Sequence, residues 1–426
     1  MLLCQIIIFD KNITNLFSSD MEKKLALKQL KLATLDSQGL TRNTPFGTGK
    51  DAVLNALEHL GYIQIDTLSM VERAHHHTLW TRIPDFQADY LDELVEERKV
   101  FEYWFHAASY LPMQDFRYVL PQMLTIKRGE SRYHNADPKV MKYVTDTIRN
   151  EGPKRARDFE NESHKAGSWW NWKPAKLALE RLFMQGDLMI SGRSGMQKTY
   201  DLAERVLPSS VNTTEPTPLE FAEYLVKTNL RAYGFTTVKQ ITHLRKGNEL
   251  KKNVSEVLQR MLEEGRISKI KAEGGASVFI QNDTLNKTFD LTDSRVWLLS
   301  PFDNSIIHRD RVKQIFGFDF RLECYTPKEK RQYGYFCLPI LFGDQFIGRV
   351  DCKAHRKEKR LELIHLHIEN NTVAPEIWLT PFAETLKRFA AFNGCEFLVL
   401  TKVSPSKLGT VIKKELSGLK LKSNLY

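Results

Sequence analysis

The stretch "GYIQIDTLSMVERAHHH", residues 61–77, decides how this chain can be interpreted. In it, Gln64 and Asp66 alternate with Ile63 and Ile65, and the side chains of a β-strand alternate between its two faces. We therefore expect Ile63 and Ile65 to enter a core, while Gln64 and Asp66 share the opposite face. An amide and a carboxylate would then meet in one small space.

The composition favours a folded protein with a polyanionic partner. The chain has 426 residues, of which 42% are hydrophobic. That length allows roughly two to four domains of ordinary size. Lysine and arginine number 62 against 52 aspartates and glutamates, which gives a net charge of +10. This excess favours nucleic acid as the partner, ahead of an anionic membrane surface.

The cysteines and the N-terminus favour a cytoplasmic protein. The five cysteines are odd in number and form no CxxC pair, so neither a disulfide framework nor a zinc ribbon is predicted. The apolar start "MLLCQIIIF" lacks a basic n-region and a cleavage site and is too short to span a bilayer. A second apparent start lies at Met21, so we expect residues 1–20 to be an extension or a misassigned start.

A helix, a glycine and a strand recur along the chain. In residues 176–202 a helical stripe precedes the glycine and an alternating strand follows it, and residues 255–280 repeat this plan. In the first copy the helical stripe is Leu179, Leu182 and Phe183, Gly186 ends the helix, and Leu188 and Ile190 belong to the strand. In the second copy the stripe is Leu258, Met261 and Leu262, Gly265 ends the helix, Ile267 belongs to the strand, and Gly274 and Gly275 form the turn.

Upstream of each copy lies a further shared piece, "GPKRARDF" from Gly152 and "GFTTVKQI" from Gly234. Together the pieces predict a helix, a short helix, a longer helix and a hairpin, the plan of a winged helix. Residues 54–68, "LNALEHLGYIQIDTL", form a third and weaker copy. A looser interpretation stays open, because helix, glycine and strand are a common combination in α/β proteins.

These patterns predict an α+β fold, mainly α, with tandem winged-helix domains followed by a C-terminal antiparallel β domain. The last domain is indicated by residues 331–370, where apolar strands alternate with a Gly-Asp turn and a charged turn. A helix follows them, and the whole resembles a small open barrel. The predicted domains are residues 21–135, 136–210, 211–283 and 284–426, after the extension at 1–20.

Asp66 is unusual for a DNA-binding strand, because a carboxylate repels the phosphate backbone. One use for it is cleavage of a base from its sugar, where a carboxylate stabilises the oxocarbenium-like sugar and activates water. Gln64 would orient that water or fix the sugar. A plainer alternative is that Asp66 only caps the following segment. The protein would then be a winged-helix regulator without catalysis.

Several basic and aromatic residues are candidate DNA contacts. Phosphate contacts are predicted near the site, in the second hairpin and its upstream short helix, and at a basic edge of the last domain, and aromatic support of a nucleotide is predicted at residues 101–112. The candidates are Arg73, His75, His77, Arg82, Trp104, His106, Arg193, Lys198 and Arg349, together with Lys154, Arg155 and Arg157.

No cofactor is expected. Consecutive histidines such as those at 75–77 do not all point one way, so no metal site is predicted there. The chain also lacks a phosphate-binding loop, a dinucleotide fingerprint and a hydrolase nucleophile elbow, which removes support for those chemistries. A bifunctional enzyme that nicks DNA through a lysine Schiff base stays open, although nothing marks a particular lysine for that role.

Blocks of this sequence resemble the bacterial interstrand-crosslink DNA glycosylases of the AlkZ and YcaQ type. The blocks are "LGYIQIDTLSMVERAHHHTLWTR", "FEYWFHAASYLP", the segment around "WWNWKPAKLALERLFMQGDL", and the segments around "SPFDN", "ECYTP" and "IGRVD". They extend from about residue 28 to residue 400. The likeness is therefore far more specific than any one motif.

The resemblance implies tandem winged helices around duplex DNA and hydrolytic excision of N7-alkylguanine, with unhooking of interstrand crosslinks. It implies that Asp66 activates water and that Gln64 positions it, since the family's catalytic pair is Gln, an apolar residue, then Gln or Asp. The Asp form belongs to the broader-substrate branch, so general alkylation repair fits better than self-protection of a toxin producer. We expect a monofunctional, monomeric enzyme of the cytoplasm, associated with the nucleoid, whose partner is double-stranded DNA with alkylated or crosslinked purines.

Overall fold

The computed structural model describes residues 19–131, 133–159, 172–245, 247–271, 277–289, 295–370 and 372–417. Residues 1–18 of the predicted extension and the turn predicted at Gly274 and Gly275 lie outside these ranges. Within them, no helix is both long and apolar enough to cross a membrane.

The first unit carries the stretch that contains Gln64 and Asp66. Its elements follow helix α1 (Ser19–Ser37) and are α2 (Gly49–Leu60), β1 (Ile63–Gln64), α3 (Ala74–Arg82), α4 (Asp89–Glu96), β2 (Val100–Trp104) and β3 (Ala108–Pro112). The short strand β1 pairs with β3, which gives the sheet order β1-β3-β2.

The second unit repeats this order. After α5 (Leu120–Lys127) come α6 (Pro138–Glu151), β4 (Lys154–Arg155), α7 (Trp172–Met184), β5 (Leu188–Ser194), β6 (Gln197–Leu202) and the short α8 (Ala203–Val206), with sheet order β4-β6-β5. The short helix predicted around Lys154 and Arg155 is wrong. These two residues form a strand because they pair with Tyr200 and Thr199, and a 3₁₀ turn follows at Ala156–Phe159.

The third unit has the same plan. It consists of α9 (Pro218–Tyr233), β7 (Phe235–Thr236), α10 (Val238–Ile241), α11 (Asn248–Glu263), β8 (Ile267–Lys271) and β9 (Ser277–Gln281), followed by α12 (Asn282–Leu285). Its sheet order is β7-β9-β8. A helix, a short strand, further helices and a hairpin whose second strand lies in the middle are the winged-helix arrangement.

The structure changes how the first unit aligns with the other two. The sequence comparison placed Gly61 beside Gly186 and Gly265, which precede the hairpins. The structure instead aligns Gly61 with Gly152 and Gly234, since each follows a first helix, has a positive φ of +75° to +88° and precedes a short strand. Gln64 therefore lies on the short first strand, and the wing of this unit is the hairpin of β2 and β3.

The predicted helical stripes form the cores of the units. Leu179, Leu182 and Phe183 are each at most 5% exposed, as are Leu258 and Met261. They lie in two separate apolar clusters. The burial of these stripes confirms the helical periodicity inferred from the sequence.

The last domain contains a five-stranded sheet with a linear order from β10 to β14. Its elements are β10 (Val296–Leu298), α13 (Asn304–Ile307), α14 (Arg309–Phe316), β11 (Cys337–Phe342), β12 (Gln345–His355), β13 (Arg360–Ile368), α15 (Pro375–Phe392), β14 (Phe397–Ser404) and α16 (Gly409–Ser417). Strands β10 to β13 pair antiparallel, as predicted, but β14 pairs parallel to β13. The difference arises because α15 crosses over between these two strands. The α+β, mainly α, fold class is confirmed.

The last domain holds the first and third units by their short strands. The Nδ2 amide of Asn304 donates to the carbonyl of Tyr62 at 2.9 Å, beside β1. Nη1 of Arg311 donates to the carbonyl of Phe235 at 2.9 Å, and its Nη2 donates to the carbonyl of Tyr233 and to the hydroxyl of Thr34 on α1, both at 2.7 Å. Residues 304–311 thus fix β1 and β7 on either side of one cleft.

Candidate active site

The burial of residues 63–66 alternates as the sequence predicts. Ile63 is 1% exposed and Ile65 7% exposed, whereas Gln64 and Asp66 are half-buried. Gln64 pairs with Ser109 of β3, and the amide of Ile65 extends the pairing by donating to the carbonyl of Ala108 at 2.8 Å. Backbone pairing therefore fixes the direction of the Gln64 side chain.

His106 orients Gln64 from the tip of the hairpin between β2 and β3. Its Nε2 lies 3.2 Å from the Gln64 side-chain oxygen. Burial, together with the nearby charges of Arg245 and His243, lowers the pKa of His106 to about 4. The imidazole is therefore neutral at physiological pH, and Nε2–H donates to Gln64. This bond occupies the amide oxygen and leaves the amide NH₂ as a donor.

Asp66 is held by a turn and not by a helix. Its Oδ1 accepts a hydrogen bond from the amide of Leu68 at 2.8 Å, whereas the next helix begins only at Ala74. Burial raises the pKa of Asp66 above its ordinary value, although the bond from Leu68 partly opposes this shift. A carboxylate with a raised pKa is a stronger base than an exposed one.

A segment of the last domain faces Asp66. Burial raises the pKa of Cys324, and the negative charge of Asp66 adds to this shift. Tyr325 responds to the same charge, and its side chain is 78% exposed. The hydroxyl of Tyr325 therefore lies within electrostatic range of the carboxylate.

Gln64 and His106 line a cleft of about 530 Å³ between the first unit, the third unit and α14. The opposite wall carries Phe235 of β7 and His243, and α14 with its preceding turn contributes His308 and Arg309. Burial lowers the pKa of His308 well below its ordinary value and that of His243 to a lesser degree. The cleft therefore presents neutral imidazoles and the exposed cation Arg309.

Three of the predicted DNA contacts are buried instead. Arg82 has no exposed surface and forms a two-pronged ion pair with Asp303, with N–O distances of 2.7 and 2.8 Å. His77 is also fully buried and bonds the carbonyl of Leu298, and His75 is 3% exposed. Side chains enclosed in this way do not reach phosphates, so the prediction of DNA contacts at these positions is wrong.

Two further arginines are also satisfied within the protein. Arg193 forms a two-pronged ion pair with Glu102, at 2.6 and 2.7 Å, and so ties the wing of the second unit to β2. Arg349 is 2% exposed, bonds Glu369 at 2.6 Å and lies over the ring of Phe318. Both were predicted as DNA contacts, and the structure assigns them to packing between elements.

The other predicted contacts keep some accessible surface. Trp104 is 46% exposed at the end of β2, and Arg73 is half-buried at the start of α3. Lys198 is half-buried, lies 3.5 Å from Glu180 and covers the ring of Phe183. These three side chains, unlike the buried arginines, are accessible to a ligand.

The sequence analysis did not identify His243, His308 and Arg309 as site residues. The segment "IIHRDR", residues 306–311, carries two of them within a helix start, and its charge density is the one signal that could have indicated them. In the ranges that the structure describes, no group of three or more His, Cys, Asp or Glu side chains is arranged to hold a metal ion.

Comparison with known proteins agrees with this architecture. The family model described as "DNA glycosylase AlkZ-like" matches residues 57–392, which include β1, the cleft and most of the last domain. Among solved structures, the Streptomyces sahachiroi DNA glycosylase AlkZ superposes with a TM-score of 0.56 at 13% sequence identity, covering 88% of this chain and 99% of that one.

The family match covers well over half of the chain and spans both Gln64 and the segment facing Asp66. The structural match shows the same fold. The chain therefore belongs to the AlkZ-like family of DNA glycosylases.

Proposed function

We propose that this protein hydrolyses the N-glycosidic bond of cationic N7-alkylguanine in duplex DNA and unhooks interstrand crosslinks formed through that atom. Gln64 in the wall of the cleft, two residues before the half-buried carboxylate of Asp66, supports this proposal most directly. The proposal goes beyond family membership, because it names the lesion and the two residues that act on it.

Asp66 would act as the general base that deprotonates the attacking water. Water attacks the anomeric carbon while the bond from that carbon to the purine nitrogen breaks, and the purine leaves with the bonding electrons. Asp66 takes the proton from the water, and its negative charge stabilises the oxocarbenium-like sugar. An N7-alkylated purine already carries positive charge, so it departs without a general acid.

Gln64 would place the water. Because its oxygen accepts from His106, its NH₂ group is the part that faces a ligand. A donor aimed at the water oxygen directs the lone pair of that water toward the sugar. His106 is then a positioning residue that acts through Gln64.

The cleft suits a nucleotide that stays close to the duplex. It is about 530 Å³ in volume and lies between two winged helices, so a base tethered to both strands could reach Gln64 without full extrusion. Trp104, Arg73 and Arg309 are the accessible side chains we assign to DNA. We further propose that the enzyme acts as a monomer and is monofunctional.

The test is base release from a duplex with one N7-methylguanine and from a nitrogen-mustard-crosslinked duplex, by the wild type and by Asp66→Asn. We expect release by the wild type and a loss of roughly 10²–10⁴-fold in the variant, the usual contribution of a positioned base. DNA binding should persist or strengthen, because the substitution removes a negative charge.

A winged-helix regulator predicts a different outcome. Neither duplex would release a base, binding would be selective for sequence, and Asp66→Asn would leave it unchanged or tighter. Trapping of a covalent protein–DNA adduct with borohydride would show lyase chemistry and contradict the monofunctional assignment.

A further inference from the structure

A second pocket of about 600 Å³ lies behind the tip of the hairpin between β2 and β3. Its walls come from all three winged-helix units and carry seven aromatic side chains, a feature common in sites that enclose a planar ring. The aromatic lining residues are Tyr103, Trp104, Phe105, Tyr118, Tyr133, Phe183 and Phe221. Apart from Trp104, which is assigned to DNA above, none of these rings has a part in the proposed mechanism.

The carboxylate of Glu180, which lines the pocket, can accept further hydrogen bonds. Glu180 accepts from the Tyr200 hydroxyl at 2.9 Å and lies 3.5 Å from the Lys198 amine. A carboxylate accepts about four hydrogen bonds, so Glu180 has room for about two more. Glu102 also lines the pocket, but both of its oxygens are taken by Arg193. Of the two carboxylates that line the pocket, Glu180 is therefore the one that can accept from a ligand.

One cation in the pocket lacks an acceptor. The Nη2 atom of Arg245 is buried and has no hydrogen-bond partner in the described part of the chain. Its guanidinium lies 4.5 Å from the ring centre of Phe105 and 5.3 Å from that of Phe221. A buried donor without an acceptor costs free energy, and a ligand carbonyl or ring nitrogen at this point would remove that cost.

We propose that this pocket binds a guanine base. Guanine presents a carbonyl acceptor, O6, beside two donors, N1–H and the N2 amine. Lys198 and the neighbouring Glu180 complement this edge. The amine of Lys198 would donate to O6, and the two carboxylate oxygens of Glu180 would accept from N1–H and N2–H. Trp104 and Phe105 supply stacking surfaces, and Arg245 supplies the further donor.

The pocket adjoins the candidate active site. Trp104 on β2 is separated from Gln64 on β1 by the width of β3, so the two lie about 10 Å apart at the usual strand spacing. A smaller recess of about 530 Å³, lined by Trp104, Phe105, His106 and Arg245, lies between the pocket and the cleft. This inference rests on the proposed function, which supplies guanine either as a released base or as a base still attached to DNA.

The test is equilibrium dialysis of the full chain against 7-methylguanine. We expect saturable binding by the wild type, weaker by about tenfold or more in Glu180→Gln because the two-oxygen acceptor is lost. Trp104→Ala should weaken binding to a similar degree, since base stacking is of comparable strength. Trp104 is exposed, so this second variant keeps the test valid if Glu180→Gln is unstable.

Two controls define the specificity of the binding. Glu204→Gln changes an exposed glutamate of the same unit and should bind like the wild type. 7-Methyladenine lacks the N1–H and N2 donors and should bind at least about tenfold more weakly to the wild type. Equal binding of both bases, or equal affinity of Glu180→Gln and the wild type, would overturn the proposal.

A duplex with a non-hydrolysable N7-methylguanosine distinguishes the two sources of guanine. Displacement of the free base by this duplex shows that the pocket takes a base attached to DNA, whereas joint binding shows that it holds the released base. If the protein releases the damaged base but does not bind 7-methylguanine, the guanine-pocket proposal is wrong and the proposed function stands. If the protein binds 7-methylguanine but releases no base from DNA, the guanine-pocket proposal is supported and the proposed function is wrong.

Discussion

The short first strands of the three winged helices occupy the same place in the fold and carry different chemistry. In the first unit this strand is Ile63–Gln64, in the second Lys154–Arg155, and in the third Phe235–Thr236. The first leads to a half-buried amide and carboxylate. The third is wholly buried. The repeated fold therefore supplies a rigid strand three times, and the residues on it decide which copy is a site.

The surroundings of the strands reinforce this contrast. Strand β1 is fixed from the last domain by Asn304, and β7 by Arg311, so both line the cleft. Strand β4 carries basic side chains that pair locally, as Arg155 does with Asp158. A candidate active site thus arises where a polar strand and a clamp from another domain coincide.

Breaking the buried ion pair between Arg82 and Asp303 should have the largest effect, on stability. Asp303→Asn leaves Arg82 buried without a charged partner, and we expect unfolding to become easier by about 3–5 kcal/mol. Although burial opposes it, the pairing with Arg82 holds the pKa of Asp303 below its ordinary value. The free energy of unfolding of the wild type and the variant, from urea titration at neutral pH, measures this loss.

Asp310→Asn is the matched control for the substitution of Asp303. Asp310 lies seven residues further along the same segment and pairs with Lys239, but both side chains are highly exposed. We expect a change of at most about 1 kcal/mol, as for other exposed pairs. Equal losses in the two variants would show that the buried pair has no special role in holding the first unit.

A pair of substitutions at equivalent positions of β1 and β4 tests whether the first strand alone carries the reaction. Gln64→Ala should slow base release by roughly 10²–10³-fold, since it removes a donor directed at the reacting water. Arg155→Ala changes the equivalent residue of β4 and should leave the rate intact. Single-turnover release from N7-methylguanine DNA with saturating enzyme is the measurement, because saturation removes differences in DNA affinity.

The outcome for Arg155 carries as much information as that for Gln64. A large loss of rate at saturation in Arg155→Ala would place the second unit at the reaction, which contradicts the division of roles among the strands. A loss of affinity alone would instead identify Arg155 as a phosphate contact.

The sequence predicts some of these features and not others, for physical reasons. Helical stripes such as Leu179 and Leu182, and the alternation at residues 63–66, are local patterns, so they are readable from the chain. The position of Gln64 on the first strand depends on pairing with Ser109, which local pattern does not reveal. Arg82 and Arg349 were predicted as DNA contacts because they are basic. Their carboxylate partners, Asp303 and Glu369, lie 221 and 20 residues away along the chain, so the sequence does not reveal these ion pairs.

Burial of histidine should make stability depend on pH. Burial lowers the pKa of His77 to about 4 in the folded state, against about 6.5 when the chain is unfolded. Between these values only the unfolded chain binds the proton, so stability is complete above pH 6.5 and decreases as the pH falls toward 4. One such group contributes up to about 1.4 kcal/mol per pH unit.

Unfolding titrations from pH 7 to pH 4.5 measure this dependence. His77→Asn should show a shallower decrease than the wild type, whereas His134→Asn, at an exposed position, should follow the wild-type curve. Parallel curves for the wild type and His77→Asn would mean that His77 gains its proton without cost to the fold.

The smallest effect is expected at His106, which acts on the reaction only through Gln64. His106→Phe keeps a ring against Tyr62 but removes the donor to Gln64, and we expect about a tenfold slower release, the value of one hydrogen bond. The informative measurement is a double-mutant cycle of single-turnover rates with Gln64→Ala. If His106 only orients Gln64, the double variant is no slower than Gln64→Ala. Additive losses would instead mean that His106 contacts the DNA or the water itself, and the site would then have three functional residues, Gln64, Asp66 and His106.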